Sequence, residues 1–314
     1  MSGELQGQDL WVVIVNWNGG DHNLRCLAAT EAAGIPAART VMVDNGSKDG
    51  SLERVIEGFG ELAVIRNASN LGFGEAANQG AAHALDRGAR VLLLLNNDLE
   101  LDPQAVGPLL DELNAHRQTG ACGPRLLMPG DPKRIWAAGG RIDHRQNISM
   151  LLGSGQADGP PWTERRKVDY VVGAALCIRA EAWRACGGLR ADYFAYMEDV
   201  EFGLRIGRAG WDSVSVGGVQ AVHHPSSSTG GGYNPRRKYM QAVNSVRFLR
   251  EYGDRRAWLR FWCFDVLTLP PALFAGLFRG RARAVAAKAL GLWHGLRGRR
   301  VEAQRLESGA GWLW

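Results

Sequence analysis

Four polar clusters stand where apolar segments stop, and each has a chemistry open to it. Asn96-Asn97-Asp98 closes the apolar run VLLLL. A carboxylate beside amide side chains suits Mg2+ or Mn2+, hard cations that take oxygen ligands and keep waters or substrate phosphates in their shell. Asp44-Asn45-Gly46-Ser47 follows RTVMV. It is either a plain β-turn, which this composition favours, or a clamp whose carboxylate accepts the imide N–H of uracil or thymine. Tyr196-Met197-Glu198-Asp199-Val200-Glu201-Phe202 places three carboxylates within four residues at a helix start. The helix dipole alone favours acids there, and the same residues could supply a general base. Glu201 and Arg205 are i, i+4 partners, which leaves Glu198 and Asp199 for chemistry. His223-His224 ends a short apolar segment, where a histidine serves as a ligand or as a structural group.

Gly72-Phe73-Gly74-Glu75-Ala76-Ala77 matches the G-x-G-x-x-A dinucleotide fingerprint in letters. That fingerprint should directly follow the first strand of a βαβ unit. Here it follows the third, so the expectation is a tight turn feeding a helix whose Asn78 faces the crevice, without NAD or FAD.

The elements that must position these groups form a regular series. Leu10–Val15, Arg39–Val43, Leu62–Arg66 and Val91–Leu95 read as buried strands. Helices over LRCLAATEAA, capped by Asp21 or Asn23, over Leu52–Phe59 and over Glu75–Arg87 alternate with them. This is the pattern of a parallel sheet wound with helices. Ligands of such sheets bind outside the carboxyl ends of strands, so the loops at Asn16, Asp44 and Asp98 should converge on one crevice. Past about residue 119, short strands (Gly120–Leu127, Val168–Val172, Ala175–Arg179) alternate with Gly/Pro-rich loops, and 153–166 reads as a mobile loop. A helix over Glu198–Arg208 follows, then strands near Ser213–Val216 and Val219–Val222. PSSSTGGG closes the catalytic part, and a helix over Arg236–Tyr252 opens the tail.

The 314 residues, 46% apolar and 22% charged, describe a globular chain with room for one large α/β domain or two smaller ones. Five scattered cysteines without a C-x-x-C pair argue against a disulfide framework or zinc cage and fit a reducing cytosol. The first ten residues contain no apolar signal-peptide core. Charge is divided unevenly: residues 1–244 carry 24 Lys/Arg against 27 Asp/Glu, and residues 245–314 carry 13 against 5. The basic tail also holds Trp258, Phe261, Trp262, Phe264, Trp293, Trp312 and Trp314. Rings with arginines suit an anionic membrane interface at least as well as a nucleic-acid groove, and the partner expected is a membrane surface, not nucleic acid. Val266–Phe278 is thirteen uncharged residues bracketed by Asp265 and Arg279, shorter than the roughly 20 a span needs. The tail is therefore expected to lie on a membrane surface rather than cross it.

Taken together, the segments VVIVNWNGG (12–20), VMVDNGSKDGS (41–51), IRNASNLGFGEAANQG (65–80), VLLLLNNDLELDP (91–103), GPRLLMPGDPKRIWAAGGRID (123–143), VDYVVGAALCIRAEAW (168–183), YFAYMEDVEFGLRIGRAGW (193–211) and VQAVHHPSSSTGG (219–231) resemble the family 2 glycosyltransferases, in particular their rhamnosyltransferase-like branch. The resemblance covers roughly residues 10–250, and GLWHGLRGRR also looks like that branch's C-terminal end. It implies an α/β GT-A fold: a Rossmann-like nucleotide-binding half (1–118) joined to an acceptor-binding half (119–244), with an amphipathic helical extension (245–314). It implies inverting transfer of a sugar from a nucleoside diphosphate sugar, dTDP-rhamnose favoured and a UDP-sugar open, to a saccharide or lipid-linked saccharide in cell-surface polysaccharide synthesis. The setting would be cytoplasmic, peripheral on the inner face of the membrane. By position, Asp44 resembles the base-binding aspartate, with Asn16, Asn45, Asn70, Gly72, Asn78 and Asn97 around the nucleotide. Asp98 resembles the last aspartate of the D-x-D metal motif, whose first position here is Asn96. His223, or His224 by a one-residue slip, resembles the histidine near metal and diphosphate. Asp199 resembles the catalytic base, with Glu198 orienting the acceptor.

Arg236 and Arg237 could assist a Mg2+ or Mn2+ ion in offsetting the diphosphate charge. Two other classes compete. A sugar-1-phosphate nucleotidyltransferase would need a glycine-rich basic loop after the first strand, which NWNGGDHN lacks. A non-catalytic carbohydrate-binding protein would not need both Asp98 and Asp199.

Overall fold

The computed structural model describes residues 3–130, 132–224 and 234–306. Four parallel strands, β1 (Leu10–Asn16), β2 (Thr40–Asp44), β3 (Ala63–Arg66) and β4 (Val91–Asn96), lie in the order β4-β1-β2-β3. Helices α1 (His22–Ala32), α2 (Ser51–Gly58) and α3 (Phe73–Asp86) connect them. Val12, Ile14, Leu93 and Leu95 enter one apolar layer, while Val13, Leu92 and Leu94 enter the other. Both faces are covered, which is why these strands read as unbroken apolar runs. Asp21 precedes α1 without a side-chain cap, and Asn23 lies buried inside the helix. The Gly80 position explains how closely α3 seats: a Cβ there would meet Val13 Cγ1 at 2.4 Å.

Beyond β4 come β5 (Leu99–Leu101), α4 (Val106–Ala115), β6 (Thr119–Leu127), β7 (Ile135–Ala137), a hairpin of β8 (Gly140–Ile142) and β9 (Ser149–Leu151), β10 (Arg166–Val168), β11 (Ala175–Arg179) and α5 (Ala180–Cys186). β11 inserts antiparallel between β4 and β6. After α6 (Glu198–Arg208), β12 (Asp212–His223) runs parallel to β6 and pairs its last residues with β5.

Several expectations are corrected here. The two strands expected near 213 and 219 are one strand, interrupted by a register shift between Val216 and Gln220 where Arg125 donates to the Gly217 carbonyl. The strand expected to reach Val172 stops at Val168, because the Asp169 and Tyr170 N–H groups turn to the Gly140 carbonyl. The polar stretch 153–166 is tied down rather than loose. Asp158 pairs with buried Arg125 at 2.6 Å, Gln156 O accepts from Ile135 N at 2.9 Å, and Trp162 packs on Leu127, Ile135 and Ala138.

The chain ends in α7 (Pro235–Tyr252), α8 (Arg255–Phe261), a π-turn at Trp262–Val266, α9 (Leu269–Phe278) and α10 (Ala282–Leu296). α7 opens on an Asn234 cap that accepts from Arg236 N at 2.8 Å. Position 244 lies inside this helix; Val246, Phe248, Leu249 and Phe261 join the same apolar layer as β1 and β4. Gly291 and Gly295 admit α7 closely, since Cβ atoms there would meet Tyr239 O at 2.5 Å and Val246 Cβ at 2.7 Å. PSSSTGGG, Trp312 and Trp314 fall outside the described residues.

Candidate active site

The parallel strands place their last residues side by side. Asn16 and Asp44 are register partners, and Asn96 pairs with Val15. Asn16 is fully buried, and its amide donates to Asp44 Oδ1 at 2.8 Å and to Ser51 Oγ at 3.1 Å. Its Oδ1 accepts from Asn23 and Asn97 amides at 2.9 and 3.3 Å. The other Asp44 oxygen accepts from Ser47 N at 3.1 Å, which closes the Asp44–Ser47 turn. That turn is therefore a real one, and it holds the carboxylate at the mouth of the sheet.

A second amide chain runs beside it. Asn45 donates to Asn70 Oδ1 and to the Gly72 carbonyl, and accepts from Asn67. Asn70 Oδ1 also accepts from Gly72 N at 2.8 Å. Gly72 has φ +89°, and a Cβ there would stand 2.5 Å from Phe194 O, so glycine is required twice over. Asn78 is not brought to this group: its amide is taken by Leu189, donating to O at 2.7 Å and accepting from N at 2.9 Å. It pins α3 to the segment after α5.

Asp98 and His223 meet because β5 pairs with the end of β12, matching Leu99 to His223. His223 Nε2 lies 3.1 Å from Asp98 Oδ1, and both side chains are buried. Two ligands at right angles around an ion with bonds of 2.0–2.1 Å would be separated by about 3.0 Å, so the pair fits adjacent positions on one small divalent cation. His224 points elsewhere, with Nε2 3.2 Å from Glu100 Oε1, so His223 is the side chain that stands beside Asp98. No group of three or more His, Cys, Asp or Glu side chains suited to a metal occurs among the described residues. Any ion at Asp98 and His223 would complete its shell from water and substrate oxygens, as Mg2+ commonly does. The indole of Trp136 stands edge-on to His223, with centroids 4.2 Å apart; nothing in the sequence alone singled it out from the other tryptophans.

The acidic cluster starts α6. Glu201 is fully buried and bound by Arg205 at 2.8 Å and by Tyr252 Oη at 2.6 Å, the structural role its spacing suggested. Asp199 Oδ2 accepts from Gly173 N at 2.9 Å and Oδ1 from Val200 N at 2.8 Å. Glu198 is 8% exposed, and its Oε2 is buried with no hydrogen-bond partner among the described residues. Burial and the neighbouring Asp199 charge push Glu198 up to about 8. Burial raises Asp199 as well, against the pull of its backbone N–H partners. Both shifts favour the protonated forms of these two carboxyls relative to ordinary carboxylates, a tuning suited to acid–base work. Sequence reasoning missed Asn23, Ser51 and Gly173, whose amide, hydroxyl and backbone N–H groups meet these side chains. Their types carry no signal until the fold brings them close.

The chain matches the model of glycosyl transferase family 2 over residues 11–169 and that of glycosyl transferase family group 2 over residues 145–295. It is 31% identical over 243 residues to an N-acetylglucosaminyl-diphospho-decaprenol L-rhamnosyltransferase of Mycobacterium tuberculosis, covering 70% of this chain and 77% of that one. It is 24% identical over 313 residues to a low-salt glycan biosynthesis hexosyltransferase of Haloferax volcanii, covering 95% and 94%. The fold is shared with GalNAc-T7, solved with UDP, GalNAc and Mn2+ (TM-score 0.61, 18% identity, 80% of this chain and 49% of that one). It is shared also with a Pyrobaculum calidifontis mannosyltransferase solved with GDP-Man and Mn2+ (TM-score 0.56, 14% identity, 92% and 87%).

Proposed function

Because the chain belongs to glycosyl transferase family 2, and is thus a glycosyltransferase on a GT-A fold, we propose that it transfers a sugar, rhamnose favoured, from a nucleoside diphosphate sugar to a saccharide or lipid-linked saccharide acceptor with inversion. The product belongs to cell-surface polysaccharide. The observation that carries this reading is the division of labour in the site: a buried amide–carboxylate group at the ends of β1 and β2, and on α6 a carboxylate, Asp199, held by two backbone N–H groups beside buried Glu198. Asp44, Asn16, Asn45, Asn70, Gly72 and Asn97 form the nucleotide wall. Asp98 and His223 would hold Mg2+ or Mn2+, whose chemistry is to offset the charge of the departing diphosphate. Asp199 takes the acceptor hydroxyl proton, and Glu198 orients the acceptor. A carboxylate has about four lone-pair positions, so Asp199 retains acceptor capacity beyond its two backbone partners.

The rhamnosyl preference and the lipid-linked acceptor rest on the mycobacterial relative, whose name states both. The placement on the membrane rests on the tail. Arg255–Phe278 is one helical stretch of 24 residues, long and apolar enough to cross a membrane. Asp265 at its centre is 1% exposed and bound to Lys288 Nζ at 2.5 Å and to Asn147 N at 3.2 Å. One face is therefore fastened to the protein, while Leu259, Trp262, Leu267, Phe274, Leu277 and Phe278 are exposed. Such a helix lies in the plane of the interface, with flanking arginines toward anionic head groups, on the cytoplasmic side where nucleotide sugars are made.

A panel of dTDP-, UDP- and GDP-sugars, assayed for transfer and hydrolysis with and without Mn2+, tests the assignment. Release of nucleoside diphosphate from dTDP-rhamnose is expected. Release of pyrophosphate would replace the reading with nucleotidyl transfer, and inertness toward every donor would replace it with carbohydrate binding.

A further inference from the structure

The backbone leading into α6 is strained. Phe194 has φ +63° and ψ −69°, and Ala195 N donates to Tyr193 O at 2.8 Å across it, a γ-turn of the rare positive-φ kind. Tyr196 and Met197 follow at φ +66° and +74°. Three non-glycine residues in left-handed or γ conformations cost on the order of 1–3 kcal/mol each and persist only when their surroundings over-determine them. They end at Glu198, so this turn sets where the carboxylate pair points.

One side chain supplies most of the restraint. Asn244, in the middle of α7 and 1% exposed, shares the two N–H donors of its amide among three carbonyls of this turn: Tyr193 O at 2.8 Å, Ala195 O at 3.0 Å and Tyr196 O at 2.8 Å. Phe194 O, the remaining carbonyl of the turn, accepts from Phe73 N at 2.6 Å beside Gly72 on the nucleotide wall. One short turn is thus clamped by α7 behind it and by the donor loop in front of it.

We propose that Asn244 is a positioning residue for sugar transfer: it holds Tyr193–Met197 in the strained form that aims Glu198 and Asp199 at the acceptor. The inference rests on the transferase reading above. It also makes α7 part of the catalytic unit, although its sequence opens what reads as a tail. An amide is suited to this place because its NH2 group, unlike a carboxylate, meets carbonyl oxygens with donors only.

The test compares wild type with Asn244→Ala, Asn244→Ser and Asn244→Gln, using the full chain and the donor that wild type turns over. Active-site concentration is counted by nucleoside diphosphate binding. Asn244→Ala should lower kcat per binding-competent site by about 10- to 100-fold, since a displacement near 1 Å can cost about that much. The dissociation constant for the nucleoside diphosphate should stay within about 3-fold, because Asn16, Asp44 and Asn45 are held by bonds of their own. Asn244→Ser, which keeps one donor, should fall between. A kcat per site equal to wild type, with only the melting temperature reduced, would overturn the proposal and leave Asn244 a stabilising residue. If Asn244→Ala does not fold, Asn244→Ser and Asn244→Gln are judged by the same criterion. A wild type that transfers no sugar refutes the transferase reading itself, a different outcome from an active wild type with unaffected variants.

Discussion

Asp98 and His223 are separated by 125 residues in the chain and by 3.1 Å in space, brought together by the pairing of Leu99 with His223 across two antiparallel strands. If they hold a divalent ion against the donor diphosphate, Asp98→Ala should abolish transfer. The fold should persist, because Asp98 lies in the short turn between β4 and β5 rather than within a strand. Nucleoside diphosphate binding, followed by calorimetry, should lose its Mg2+ or Mn2+ dependence in the variant. Undiminished wild-type turnover in excess chelator would show that this N-N-D site works without the ion.

The first half of the chain is legible because its signals are local. Alternating burial into two layers makes β1 and β4 unbroken apolar runs, and abrupt polar stops mark Asn16, Asp44 and Asp98. The second half was read less well because its order depends on distant partners. Arg125 and Asp158 lie 33 residues apart, and their contact turns a polar stretch that looks loose into a fixed one. Helix α4 escaped notice because Gly107 and Pro108 interrupt its first turn, where proline is in fact tolerated. Asn78 was misplaced for a related reason: a polar residue on a helix beside a crevice is indistinguishable in sequence from one bonded to a neighbouring backbone, as Asn78 is to Leu189.

Gly72 joins the loop before α3 to the turn before α6. Gly72→Ala would place a methyl 2.5 Å from Phe194 O in a backbone of φ +89°. A strained φ of this kind costs about 1–3 kcal/mol, so a lower melting temperature is expected. Weaker nucleoside diphosphate binding should accompany it, because Asn45 and Asn70 both bond to Gly72. Unchanged binding and melting would mean that the two loops move independently.

The tail should bring the protein to anionic membranes. Full-length protein is expected to sediment with vesicles containing phosphatidylglycerol at low salt and to be released as salt screens the arginines. Replacing exposed Trp262, Phe274 and Leu277 by serine should weaken binding at every salt concentration without lowering the melting temperature, since the buried contacts of this helix run through Phe261, Asp265 and Gly276. Failure of the wild type to sediment at low salt would refute the surface assignment.

The carboxylate pair offers a prediction in which rate and stability move differently. General-base work contributes about 100- to 10,000-fold, so Asp199→Asn should lower kcat by about that factor with little change in donor affinity. Glu198→Gln should cost less in kcat and more in acceptor KM; a dead Glu198→Gln beside an active Asp199→Asn would reverse the assignment. For stability, Glu198 titrates near 4.5 when unfolded and is pushed up to about 8 by burial and Asp199 when folded. Between these values the folded state binds more protons than the unfolded one, so this group's contribution is fully present below about pH 4.5 and is lost as pH rises toward about 8. The slope from a single such group is at most about 1.4 kcal/mol per pH unit. Glu198→Gln removes the titration and keeps the shape. Its melting temperature should therefore gain on wild type as pH is raised from 5 to about 8, measured by thermal unfolding in matched buffers. Parallel curves for the two proteins would mean that folding leaves the titration of Glu198 unshifted.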